Sequence, residues 1–112
     1  MTTLERVREY ALTLPRSYEA VVRGRLKFRV GRIVYLDFSR DQRIMGFAFP
    51  KEYREALVDS EPDKFLMPRP SERRWNWVQV RLDAIDDGEM RDLVLDAWAM
   101  VVPRRVAEPY RR

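Results

Sequence analysis

The chain contains no cysteine, no histidine and only four glycines among its 112 residues. Without cysteine there are no disulfides, no thiolate nucleophile and no sulfur ligand for a metal. Without histidine the commonest general base and the commonest metal ligand are gone as well. Zinc and iron rarely settle on carboxylates alone, so neither a metal nor another cofactor is expected. The glycines, Gly24, Gly31, Gly46 and Gly88, match neither the GxGxxG nor the GxxxxGK[ST] spacing that wraps backbone amides around a phosphate. Long apolar runs are missing too. The longest, Ala97 to Val102, falls far short of the roughly 20 residues that cross a bilayer, and no membrane partner is expected. Glu5, Arg6, Arg8 and Glu9 break up the apolar positions a signal peptide would need, which points to a cytoplasmic location. The one dense acidic group, Asp83, Asp86 and Asp87, is explained more simply by helix capping and the helix macrodipole than by acid–base chemistry. An enzyme is therefore not expected.

What is present is the material of one globular domain spanning residues 1–112. With 46% hydrophobic and 36% charged residues, a chain of this length is apolar enough to bury roughly two-thirds of its unfolded surface. The net charge is +4, and 19 of the 22 basic residues are arginine, a bias that codon usage in a GC-rich genome produces by itself. The distribution says more. Residues 16–32 hold six basic residues and one acidic, residues 64–81 hold five and one, and residues 83–96 reverse the pattern, with six acidic residues against Arg91. Arg104, Arg105, Arg111 and Arg112 add positive charge at the end.

Periodicity gives the elements. Thr2 and Glu5 form a capping-box pair, and Leu4, Val7, Ala11 and Leu14 recur at helical spacing until Pro15, predicting a helix over 3–13. From Leu26 the period becomes two, with Leu26, Phe28 and Val30 opposite Lys27 and Arg29. A Gly31-Arg32 turn and the apolar stretch Ile33 to Phe38 complete a hairpin. A third strand runs from Ile44 to Phe49, and a short helix carries Tyr53, Ala56 and Leu57 after Pro50. A brief strand covers Lys64 to Met67. In the stretch RRWNWVQVRLD, residues 73–83, Val78, Val80 and Leu82 line one face of a strand over Trp75 to Leu82, and Trp75, Trp77, Gln79 and Arg81 line the other. The last helix begins at Asp86 and Glu89 and carries Met90, Leu93, Val94, Ala97, Trp98 and Val101 as a stripe toward Pro103, with Trp98 read as core. The expected fold is α+β in two layers: a five-stranded antiparallel sheet with helices on one face, in the order α-β(3)-α-β(2)-α.

The segments LERVREYALTLP (4–15), KFRVGRIVYL (27–36), RRWNWVQVRL (73–82) and LVLDAWAMVVPRR (93–105), taken together and in order, resemble the MmcQ/YjbR family over essentially the whole chain. The resemblance implies a five-stranded antiparallel sheet packed by helices, similar to secretion-chaperone folds, and a DNA-binding role without agreed catalytic or base-reading positions. Where the family often has a histidine or lysine shortly before the tryptophan, this chain has Arg73 and Arg74, so charge is kept and imidazole chemistry is not.

If helices cover one sheet face, the alternation turns Trp75, Trp77 and Arg81 outward, where Lys27 and Arg29 can join them. Aromatic planes among cations suit base stacking and phosphate neutralisation. Binding of DNA or single-stranded nucleic acid through Lys27, Arg29, Arg69, Arg73, Arg74, Trp75, Trp77 and Arg81 is the leading expectation. Two other readings stay open: tryptophans buried against the chain's own loops under cation–π arginines, and a protein-interaction or chaperone-like module using the same face.

Overall fold

Thr3 caps the first helix, α1 (Leu4–Ala11), its side chain accepting from the Arg6 amide at 3.3 Å. The expected Thr2–Glu5 box does not form. Thr2 is buried instead, and its amide donates to the Ile85 carbonyl at 2.8 Å. The computed structural model describes residues 1–110; Arg111 and Arg112 lie outside the described residues.

Six strands follow, not five: β1 (Ser17–Val22), β2 (Arg25–Val30), β3 (Ile33–Phe38), β4 (Ile44–Ala48), β5 (Phe65–Leu66) and β6 (Trp77–Arg81), in the sheet order β1-β2-β3-β4-β6-β5 with every pairing antiparallel. The helix α2 (Lys51–Ser60) lies between β4 and β5. After β6 come α3 (Asp87–Ala99) and a short α4 (Arg104–Ala107). The order is thus α-β(4)-α-β(2)-α with a terminal turn of helix. The additional strand is β1. It sits on the sheet edge with Tyr18, Glu19 and Val21 exposed, so its sequence carries no alternation of buried and solvated positions. Its hairpin closes through Arg23 and Gly24, both at positive φ (54° and 76°), as a type I′ turn requires, and only the second of them is a residue that enters that region freely. The strand expected from Trp75 begins only at Trp77, and β5 shrinks to two residues.

The inner face of the sheet is apolar: Leu26, Phe28 and Val30 of β2, Leu36 and Phe38 of β3, Met45 and Phe47 of β4, and Val78 and Val80 of β6 are all buried. Against it packs α3, through Met90, Val94, Ala97 and Trp98, and α1 lies beside α3, adding Val7 and Ala11 to the same core. Asp86 caps α3, accepting from the Glu89 amide at 2.8 Å. Trp98 is fully buried, as its place on the stripe predicts, and its indole Nε1 donates to the Pro15 carbonyl at 2.8 Å.

β3 carries a bulge. Phe28 pairs with Leu36 and Arg29 with Val34, leaving Tyr35 unopposed. Tyr35 is fully buried, and its hydroxyl bonds Ser17 Oγ at 2.6 Å. Burial pushes the phenol up to about 12, with the Ser17 bond pulling the other way. Below about pH 10 both folded and unfolded chains keep this proton. Between about pH 10 and 12 only the unfolded chain releases it, so stability falls with rising pH at about 1.4 kcal/mol per unit from this group. Urea unfolding from about pH 9 to 11.5 should show that slope, and Tyr35→Phe should flatten it by about one proton.

Candidate functional site

The strand register lays out the opposite, outer face as three rows. Val22, Arg25, Ile44 and Arg81 form one; Ala20, Lys27, Asp37, Gly46, Gln79 and Leu66 form the middle; Tyr18, Arg29, Val34, Ala48 and Trp77 form the third. Most of these side chains are half-buried, in contrast with the sealed inner face.

Asp37 stands at the centre of the middle row and is only 8% exposed. Arg25 Nη2 and Lys27 Nζ each lie 3.5 Å from its Oδ2, longer than the roughly 2.7–2.9 Å of a strong charge-assisted hydrogen bond. The two cations offset its charge without saturating its oxygens. Its neighbour across the ladder is Gly46, and a Cβ there would stand 2.3 Å from Asp37 Oδ1 and 2.7 Å from Trp77 Nε1. The absent side chain at position 46 is therefore what leaves room for both the carboxylate and the indole over the strand.

The two tryptophans differ. Trp77, on β6, is half-buried over Gly46, whereas Trp75 precedes the strand and is 57% exposed. The Arg74 guanidinium lies 4.7 Å from the Trp75 ring centroid. The segment carrying both indoles is held from behind by α2. Buried Arg54 donates through Nη1 to the carbonyls of Trp75 and Trp77 at 3.0 Å each, and through Nη2 to that of Arg73 at 2.7 Å. Lys51 adds two bonds, Nζ to the Arg74 carbonyl at 3.2 Å and its amide to Asn76 Oδ1 at 3.1 Å. Burying a cation on backbone oxygens fixes the segment more firmly than solvated loop contacts would.

Two grooves open on this face. One, of about 440 Å³, is lined by Trp75, Trp77, Ile33 and Met100, with Asp37 and Lys27 among its polar groups. The other, of about 560 Å³, is bordered by Arg25, Arg40, Arg69 and Gln79. Asp41 also borders it, and its carboxyl is held below the usual range by the Ser39 hydroxyl and the Arg43 amide.

The structure thus gathers Lys27, Arg29, Trp77 and Arg81 onto one face and places Arg69, Arg73, Arg74 and Trp75 on the segment beside it. Several of the cations are engaged. Lys27 faces Asp37, Arg69 lies 3.7 Å from Glu72, Arg73 Nε donates to the Pro68 carbonyl at 3.0 Å, and Arg81 reaches the Asp63 carbonyl at 3.1 Å. Sequence reasoning missed Asp37, Gly46, Arg54, Arg25 and Arg40. Only Arg54 left a signal, as the one charge on the α2 stripe shared with Leu57 and Val58. Among the described residues no group of three or more His, Cys, Asp or Glu is placed to hold a metal ion, and no helix is long and apolar enough to cross a membrane.

No curated protein matches the chain. A solved structure similar to it is the Deinococcus radiodurans protein DR2400, which carries the DUF419 domain: 22% identity, 90% of this chain and 79% of that chain covered, and a TM-score of 0.77. That similarity establishes the fold. The model of the YjbR family matches residues 12–100, most of the length, and the chain belongs to that family.

Proposed function

We propose that this domain is a non-catalytic nucleic-acid-binding module that holds single strands weakly and without strong sequence preference on its outer sheet face. The observation that carries the reading is the separation of charge across the two layers. The basic hairpin β1–β2 and the segment leading to β6 supply Arg25, Lys27, Arg29, Arg69 and Arg74 to the outer face, while Asp87, Glu89, Asp92 and Asp96 lie on α3, on the opposite side, with Asp86 at its cap. The excess of positive charge on the outer face attracts a polyanion there. On that side stand an exposed indole and a half-exposed one for stacking, beside a groove bordered by three arginines.

Contact with about four phosphates of a single strand gives a slope of log K against log salt near −3, and affinity near micromolar or weaker at physiological salt. Arg73 is occupied by the Pro68 carbonyl, so Arg69 and Arg74 are the informative pair. Replacing both by alanine should flatten the slope by up to about 1.5 and weaken all sequences alike, since phosphate contacts position without specifying. Anisotropy of labelled oligonucleotides at two salt concentrations checks this, and no binding at low salt refutes it.

A protein-interaction reading has one observation in its favour: Ile33, Trp75 and Met100, each more than 40% exposed, border the same groove. A protein partner there would be insensitive to the Arg69 and Arg74 substitutions.

A further inference from the structure

The 440 Å³ groove is of a size that takes a single small ligand or one splayed-out base. Its floor is unusual in chemistry. A carboxylate that is nine-tenths buried lines an open aromatic groove, with its cations at 3.5 Å instead of in close hydrogen bonds. Beside it, Lys27 Nζ offers donors to the same space. The floor therefore presents two acceptor oxygens next to a cationic donor, under aromatic walls.

We infer that this groove is a guanine-selective subsite. The inference rests on the nucleic-acid reading for its biological setting and on Asp37, Lys27 and the two tryptophans for its chemistry. Among the bases, guanine alone sets two adjacent donors, N1–H and the N2 amino group, next to an acceptor, O6. The two donors match the Asp37 carboxylate, O6 matches Lys27, and the purine plane lies against the indoles of Trp75 and Trp77. Adenine places the N1 acceptor beside its amino group, cytosine places N3 beside its own, and thymine has one N–H between two carbonyls. Each of these sets a lone pair against the carboxylate and leaves buried polar groups unpaired, which is the strong form of discrimination. The guanine can belong to a strand or to a free nucleotide.

The test uses the intact chain and its tryptophan fluorescence. The quench should saturate with GMP at a concentration at least about tenfold below that for AMP, CMP or TMP, as one bidentate pair supplies. Asp37→Asn, which cannot accept from both donors, should abolish the preference, and Lys27→Met should reduce it. If Asp37→Asn fails to fold by circular dichroism, Lys27→Met decides alone. Equal affinities for the four nucleotides, a preference that survives in a folded Asp37→Asn, or one that is undiminished in Lys27→Met, overturn the inference. Two further arms compare oligo(dT) with the same oligomer carrying one dG. Tighter binding of the dG oligomer places the guanine in a strand, and a GMP preference without oligomer binding places it in a free nucleotide. Failure of oligo(dT) to bind at low salt refutes the nucleic-acid reading, whereas equal binding of the two oligomers together with no GMP preference refutes the guanine subsite alone.

Discussion

Substituting alanine for Arg54 is expected to destabilise the domain by about 2–3 kcal/mol and to loosen both tryptophans of the outer face. The side chain sits on α2 at 7% exposure and gives three hydrogen bonds to the carbonyls of Arg73, Trp75 and Trp77. Each such bond contributes about 1 kcal/mol net, more when the donor is charged, and the residue's removal also orphans the carbonyls it served. Lysine should recover little, because a single ammonium cannot span three oxygens that a planar fork reaches from two nitrogens. Urea unfolding followed by far-ultraviolet circular dichroism reads the stability. Acrylamide quenching of tryptophan in the folded state reads the loop separately, and it should increase in Arg54→Ala even where the protein remains fully folded. Unchanged quenching would mean that the segment is held by Lys51 and Asn76 without Arg54.

An even larger loss, about 3–5 kcal/mol, is expected for Trp98→Ala. Trp98 is the largest of the fully buried side chains, and it joins α3 to the turn after α1 through Pro15 and to the C-terminal turn through Tyr110, whose ring centroid is 5.1 Å away at 71°. Removing the indole opens a cavity at the junction of three segments and leaves the Tyr110 ring without the edge it packs against. Trp98→Phe separates the contributions. It keeps most of the apolar volume and orphans the Pro15 carbonyl, so its cost should fall between the two extremes, at about 1–2 kcal/mol. Thermal and urea unfolding of the two variants side by side measure the difference. A cost for alanine below about 1 kcal/mol would show that the C-terminal turn repacks into the space.

Much of this architecture was legible because burial imposes a period. The β2 positions Leu26, Phe28 and Val30 and the β6 positions Val78 and Val80 alternate cleanly, and Met90, Val94, Ala97 and Trp98 repeat at helical spacing, since each element has one sealed face. β1 was illegible for the opposite reason: as an edge strand with little to bury, it leaves no alternating record. β3 looked uniformly apolar because its bulge sends Tyr35 and Leu36 inward in succession. For the site, the cations and tryptophans were visible as composition, but their partners were not. Asp37 lies in a strand that reads as core, and its pairing with Lys27 and Gly46 is a matter of register between strands. Trp75 and Trp77 were expected to share a strand face. Only Trp77 is on the strand, because Asn76 and the Arg54 hydrogen bonds hold the preceding residues in a bend.

The bulge has a consequence that is one of parity. Along an uninterrupted strand, residues an odd number of positions apart face opposite ways. Val34 and Asp37 are three apart, yet both line the same groove, because the unopposed Tyr35 adds one step to the count. A single extra residue thereby lets one strand contribute an apolar wall and a carboxylate to the same side while still sending Tyr35, Leu36 and Phe38 into the core. Iron out the bulge while keeping every residue and the odd count takes effect: whichever half of the strand keeps its pairing, the other half is inverted, and either Asp37 is driven into the core or Val34 is lost from the groove.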